Sequence, residues 1–255
     1  MAGNEIGLLH GRVAVVTGAS RGLGRAIALS LGSDGASVAL VARDLDALAG
    51  VAGELRNTGA EAEVFQADIT EENQVRQVER DVMARFGQVD ILVNNAGMNI
   101  RKPLEEFSLE EWGSVIAANL TSAFLMCRSF IPQMKGRGYG RILNMTSIMS
   151  HVSIAGRTAY SASKAGLLGL TKALALELAT EGITVVAISP GPFATEMNAS
   201  LIQDEDMNRQ FVSRIPIGRW GAPEEVARLV RYLCSPEAGF ITGTDILIDG
   251  GWTAQ

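Results

Sequence analysis

The apolar run Arg12-Val13-Ala14-Val15-Val16-Thr17 passes without a break into Gly18-Ala19-Ser20-Arg21-Gly22-Leu23-Gly24 and then into a helical pattern over residues 25–31. A buried strand that turns directly into a helix is the first half of a strand–helix–strand unit, and such units assemble into parallel sheets with helices on both faces. Glycines at 18, 22 and 24 permit a tight turn and let a phosphate or pyrophosphate lie against the backbone N–H groups at the helix start. The spacing is G-x-x-x-G-x-G. The strand before it and the helix after it separate it from an ordinary glycine-rich turn.

The same alternation continues to the end of the chain. Short apolar runs over 37–41, 62–67, 90–93, 140–147 and 183–189 read as strands, and 45–55, 109–134 and 159–180 read as helices. With 255 residues, 47% of them hydrophobic, the chain can bury a large core within one domain. The expectation is an α/β fold: a single doubly wound Rossmann domain over residues 1–255, with about seven parallel strands in the order 3-2-1-4-5-6-7 and right-handed crossovers. The 28 glycines have no three-residue period and so mark turns rather than a fibre.

In dinucleotide folds the end of the second strand, about 20 residues after the glycines, meets the adenosine ribose: an acidic residue suits NAD, and an arginine suits the 2′-phosphate of NADP. Here Ala42 holds the acidic position and Arg43 follows. With Arg21 in the glycine loop, two guanidinium groups flank a phosphate dianion, which points to NADP(H) and leaves NAD(H) open. Asp44 reads most simply as the N-cap of the next helix.

Tyr160 and Lys164 stand at i and i+4, so phenol and ammonium project from one helix face. A neighbouring cation favours the ionised phenol and brings proton exchange with a carbonyl or alcohol oxygen nearer to neutral pH. Ser147 closes the apolar run 140–147, at the strand end where open sheets bind ligands, and its hydroxyl suits the same substrate oxygen. A Tyr-x-x-x-Lys pair by itself is common on amphipathic helices. The other motifs in this chain are what give it weight.

Taken in order, Thr17-Gly18-Ala19-Ser20-Arg21-Gly22-Leu23-Gly24, Asp68, Asn94-Asn95-Ala96-Gly97, Asn119, Ser147, Tyr160, Lys164 and Pro190-Gly191 resemble the motifs of the short-chain dehydrogenase/reductase family, over nearly the whole chain. The resemblance implies a catalytic tetrad of Asn119, Ser147, Tyr160 and Lys164. Tyr160 would exchange the proton, Lys164 would hold the nicotinamide ribose and lower the tyrosine pKa, Ser147 would orient the substrate oxygen, and Asn119 would anchor a water chain. It also implies cofactor contacts from Gly18, Ser20, Arg21, Gly22, Leu23, Gly24, Arg43, Asp68, Ile69, Asn95, Ala96, Gly97, Pro190, Gly191, Phe193 and Thr195. Phe193 is bulky for that place. Asp68 has a second reading as a helix-capping residue ahead of Glu71 and Glu72.

For the substrate pocket the resemblance singles out Asn99, Ser147, Met149, His151, Arg157 and Tyr160, with Met98, Arg101 and Val152 nearby and a lid over about 193–214. The strings Asn99-Ile100-Arg101-Lys102-Pro103, Gly218-Arg219-Trp220-Gly221 and Asp249-Gly250-Gly251-Trp252 resemble gluconate 5-dehydrogenases and related sugar-acid dehydrogenases; 3-oxoacyl-carrier-protein reductases are equally near. The expected activity is therefore hydride transfer between NADP(H) and a ketone or secondary alcohol, with a keto sugar acid such as 5-ketogluconate as one substrate. The alternatives are a 3-oxoacyl-carrier-protein or broad-range ketone reductase and, in another class, a non-catalytic dinucleotide sensor. Family members usually pair their two long helices with a neighbour. The surface of Ala162, Ala165, Gly166 and Gly169 therefore suggests a homotetramer.

A net charge of −6 speaks against a nucleic-acid partner, which would call for a basic surface. Residues 1–10 carry no long apolar run, and no stretch is expected to cross a membrane, so a cytoplasmic protein is expected. Cys127 and Cys234 read as core thiols of a reducing compartment, and with only His10 and His151 as histidines no metal site is expected.

Overall fold

Strands that are apolar at nearly every position must be covered on both faces, and that requirement builds the molecule. In the computed structural model, which describes residues 7–255, the elements run as follows. β1 (Val13–Thr17), α1 (Gly22–Ser33), β2 (Ser37–Ala42), α2 (Leu45–Asn57), β3 (Ala62–Gln66), α3 (Glu72–Phe86) and β4 (Ile91–Asn94) form the first half. α4 (Leu109–Ile116), α5 (Ser122–Met134), β5 (Gly140–Met145), α6 (Thr158–Leu178) and β6 (Ile183–Pro190) follow, then α7 (Ala199–Gln203), α8 (Glu205–Val212), α9 (Pro223–Cys234) and β7 (Asp245–Ile248). All seven strands are parallel in the order β3-β2-β1-β4-β5-β6-β7, as the alternation predicts.

Alternate residues of one strand feed opposite cores. From β1, Ala14 and Val16 pack with Ile27 and Leu31 of α1, Leu48 of α2 and Val230 of α9. Val15, between them, joins the other cluster with Val78 of α3, Met126 and Phe130 of α5 and Leu178 of α6. β1 lies between β2 and β4, so the chain leaves it in both directions and the loops at its C-terminal end part. That divergence opens a crevice over the strand ends.

Two expectations need correction. The run 109–134 is not one regular helix: α4 and α5 are joined by a π-helical turn, Ala117–Thr121, which holds Asn119. The wider turn carries an extra residue and re-aims the side chains within it, a feature common at functional sites. This run, Leu109–Met134, is also long and apolar enough by composition to cross a membrane, with a mean hydropathy of 1.4 in its most apolar window. Its apolar face is used internally: Met126, Phe130 and Met134 are fully buried against the sheet.

Candidate active site

The C-terminal ends of β1, β2, β4, β5 and β6 border a single cleft of about 1390 Å³. Every position expected to touch the dinucleotide, from Gly18 to Thr195, lines it. At its base the glycine loop is packed too tightly for side chains. A Cβ on Gly24 would stand 2.1 Å from the Gly18 carbonyl oxygen, and Gly18 itself has φ +63° with Ala96 close behind. α1 follows Arg21, an N-cap residue whose side chain makes no capping bond, and has no acidic residue in its first turn, so its first N–H groups have no side-chain acceptor and face an anion's place.

Ala42 leaves room at the adenosine end. Arg43, with 79% of its side chain exposed, holds Nη1 3.8 Å from Asp68 Oδ2. Burial acts to raise the Asp68 carboxyl, but hydrogen bonds from Thr70 and the charge of Arg43 hold it below its ordinary value. Asp68 caps no helix: the N-cap position of α3 is Glu71, whereas Asp44 does cap α2, accepting from Ala47 N at 3.0 Å. These residues fit a dinucleotide bearing a 2′-phosphate: an uncapped helix start for the pyrophosphate, and Arg21 and Arg43 on one rim of the cleft.

Ser147 follows β5 and is nearly buried. Its Oγ accepts the Met149 N–H at 3.1 Å, which leaves its own proton free to point into the cleft. Tyr160, on the first turn of α6, faces the same space. Lys164, one turn on, is 4% exposed and donates from Nζ to the Met145 carbonyl at 2.7 Å. Burial pushes its ammonium down to about 8. The Tyr160 phenol departs from expectation: burial raises its pKa, and the opposing influences are the Ser147 hydroxyl, Arg157 and Arg101. Lys164 sits 5.7 Å from the ring centroid, with its Nζ engaged by the Met145 carbonyl.

Asn119 does not reach the cleft surface; it lies behind it, 1% exposed. Its amide accepts from Met98 N at 2.7 Å and donates to Met98 O and Ser163 Oγ, each at 2.9 Å. Gly97 touches this knot, since a Cβ there would come within 2.8 Å of Asn119 Oδ1 and 3.5 Å of Lys164 Nζ.

Three side chains behave otherwise than the motifs imply. Asn95 lines the cleft, but its amide is spent on the carbonyls of Thr17 and Gly18, tying β1 to β4. The Phe193 ring turns into the core, 5% exposed, against Gly221. His151 is not a pocket residue: its Nε2 meets Asp245 Oδ2 at 2.5 Å, and Asp245 also accepts from Ser189. Asn99, Met149 and Arg157 do line the cleft, as does Arg101.

Phe211, within the expected lid, lines the cleft, as does Trp252, which the sequence reading does not mark as a pocket residue. Phe211 of α8 stacks on Trp220 at 4.8 Å and meets Trp252 at 5.2 Å, fastening the segment over the cleft. The signal that would have found Trp252 is the gathering of aromatics near the C-terminus of a chain with 5% aromatic residues. Both cysteines are buried and unpaired, with the Cys127 thiol pushed up to about 12 by desolvation. Among the described residues no three His, Cys, Asp or Glu side chains are placed to hold a metal.

Comparison with known proteins agrees with this geometry. Residues 18–253 match a family model described as enoyl-(acyl carrier protein) reductase. The chain is 39% identical over 239 residues to a 3-oxoacyl-[acyl-carrier-protein] reductase of Staphylococcus epidermidis, covering 93% of this chain and 97% of that protein. A short-chain type dehydrogenase/reductase from Mycobacterium marinum superposes with a TM-score of 0.92 at 37% identity, over 97% of both chains. A candidate NAD(P)-dependent gluconate 5-dehydrogenase from Beutenbergia cavernae, solved with bound NADP, superposes with a TM-score of 0.92 at 40% identity, over 97% of this chain and 98% of the other.

Proposed function

The chain belongs to the short-chain dehydrogenase/reductase family, and we propose that this oxidoreductase moves a hydride between NADP(H) and a ketone or secondary alcohol, with a keto sugar acid such as 5-ketogluconate as its substrate type. The observation that carries the reading is the convergence of Ser147, Tyr160 and Lys164 on one cleft whose other end is an uncapped helix N-terminus flanked by arginines.

NADP(H), when bound, supplies or takes up the hydride. The uncapped start of α1 would hold its pyrophosphate, and Arg21 and Arg43 its 2′-phosphate. Tyr160 keeps the proton on its phenol at neutral pH and gives it to the carbonyl oxygen during reduction. Ser147, with its proton free, donates to the same oxygen as negative charge grows there. Lys164, whose Nζ donates to the Met145 carbonyl, would hold a ribose hydroxyl of the cofactor. Asn119 is a positioning residue, fixing Met98 on one side of the cleft and Ser163 of α6 on the other.

Tyr160→Phe tests the reading. It should remove most turnover while NADPH binding, followed by nucleotide fluorescence, persists; full activity would exclude Tyr160 as the acid. If turnover is absent from the unaltered protein with every ketone, the dinucleotide-sensing alternative takes its place. A second substrate reading, a 3-oxoacyl thioester, draws on the 39% identity to a reductase of that name. Nicotinamide absorbance with keto sugar acids, simple ketones and acyl thioesters side by side separates the two.

The rest of the reading concerns setting and assembly. The segment from Phe193 to Arg214, pinned through Phe211, serves as a substrate lid on the single domain. A homotetramer is supported by exposed apolar side chains on two faces: Phe124 and Leu176 on the long helices, Phe240 and Leu247 around β7. Ala162, Ala165 and Gly169 are exposed, but Gly166 is used within the chain, packed on Leu120. Two unpaired core thiols suit a reducing cytoplasm.

A further inference from the structure

Two guanidinium groups stand at the substrate end of the cleft, and among the described residues no carboxylate pairs with either. Arg157, half-buried just before α6, and Arg101, in the loop after Gly97, line the cleft beside Tyr160 and Ser147. They feel one another: burial, and then the charge of Arg101, lowers the proton affinity of Arg157. The contact of Arg101 is a long one, Nη2 to Asn198 Oδ1 at 3.4 Å. Arg12, Arg25, Arg76, Arg85 and Arg219 pair with carboxylates; Arg101 and Arg157 differ from the other arginines without an ion pair in sharing the cleft wall beside Tyr160.

The carboxylates that do line the cleft are placed elsewhere. Asp44 caps α2, Asp68 faces Arg43, and a Glu196 carboxylate oxygen lies beside Gly22 at the glycine loop. Close by, both amide atoms of Asn99 are buried without a partner. Two like charges, one of them partly desolvated, are costly to hold together, and an oxyanion between them would relieve that cost with charge-assisted hydrogen bonds. A thioester carbonyl is neutral and would leave the pair unanswered.

We propose that Arg101 and Arg157 form an oxyanion site, so that the natural substrate is a ketone or alcohol that also carries a carboxylate or phosphate, and Asn99 meets a neighbouring hydroxyl. The proposal rests on the cleft being the carbonyl site of an NADP(H)-dependent oxidoreductase.

The test compares a short keto acid, its neutral methyl ester and a ketone bearing a phosphate, in the unaltered protein and in Arg101→Leu, Arg157→Leu and the double variant. The unaltered protein should prefer a charged ketone over the ester. The ratio of kcat/KM for charged over neutral substrate should fall about tenfold per arginine removed, in the range of one lost charged hydrogen bond. Whichever charged ketone shows the larger preference identifies the oxyanion. A ratio that is the same in the double variant, or a native preference for the ester, overturns the proposal. Calorimetric titration of the keto acid gives a readout independent of turnover. Binding that is lost in the double variant supports the site even if no ketone is reduced, and binding that persists unchanged refutes it even if the carbonyl chemistry is confirmed.

Discussion

Adding one methyl group at Gly97 should damage the site more than the fold. The new Cβ would stand 2.8 Å from Asn119 Oδ1, 3.7 Å from Asn119 Cγ and 3.5 Å from Lys164 Nζ. Ordinary contact needs roughly half an ångström more than the shortest of these, so Asn119 or the loop must give way. Asn119 cannot retreat freely, because Met98 N, Met98 O and Ser163 Oγ hold it at 2.7, 2.9 and 2.9 Å, and it is 1% exposed. Breaking one buried hydrogen bond, or straining the site to keep it, costs about 1–3 kcal/mol. In a chain of this size that is a fall in Tm of about 2–4 °C per kcal/mol. The displacement passes to Met98 and Lys164, which border the reacting centre, and turnover should drop about 10- to 100-fold.

Gly50→Ala supplies the control. Its Cβ meets nothing within 4 Å, and it sits in the interior of α2, where alanine should hold or gain up to about 1 kcal/mol. Thermal unfolding by circular dichroism and NADPH-dependent turnover decide the matter. A Gly97→Ala protein that melts and turns over like the unaltered one, or a Gly50→Ala protein equally impaired, would refute the reasoning.

Lys164 binds its proton less tightly when folded, at about 8, than an unfolded lysine does near 10.4, so in that window the unfolded chain carries more protons and stability rises with pH. Urea unfolding of the unaltered protein minus Lys164→Met cancels the opposite drift from the buried cysteines, and the difference should grow by about 1–3 kcal/mol from pH 7 to 10; a flat difference would contradict the burial assigned to the ammonium. Arg43→Asp should move the ratio of initial rates from NADPH towards NADH by at least about tenfold, and an unchanged ratio would place phosphate recognition elsewhere. His151→Gln should leave the substrate KM within about twofold, because His151 faces Asp245; a tenfold rise in KM would return it to the pocket.

Local sequence was sufficient for most of the backbone of this protein, the π-helical turn at Ala117–Thr121 excepted. Uninterrupted apolar runs demanded strands covered on both faces, the glycines at 18, 22 and 24 demanded a tight strand-to-helix turn, and alternation of the two element types left few topologies other than the observed strand order. The i, i+4 spacing likewise placed Tyr160 and Lys164 on one face before any tertiary contact was known. What each polar side chain binds could not be read in that way, because its partner lies far along the chain and is brought near only by sheet register and packing. His151 finds Asp245 on β7, 94 positions away, and leaves the pocket. Asn119 is aimed by a π-helical turn onto Met98 and Ser163, and Phe193 buries its ring on Gly221. Arg101 and Arg157 meet only because the loops after β4 and β5 overhang the same crevice. The sequence determined which backbone could form; three-dimensional packing decided where the charges and protons of the site would go, since burial and distance set their energies.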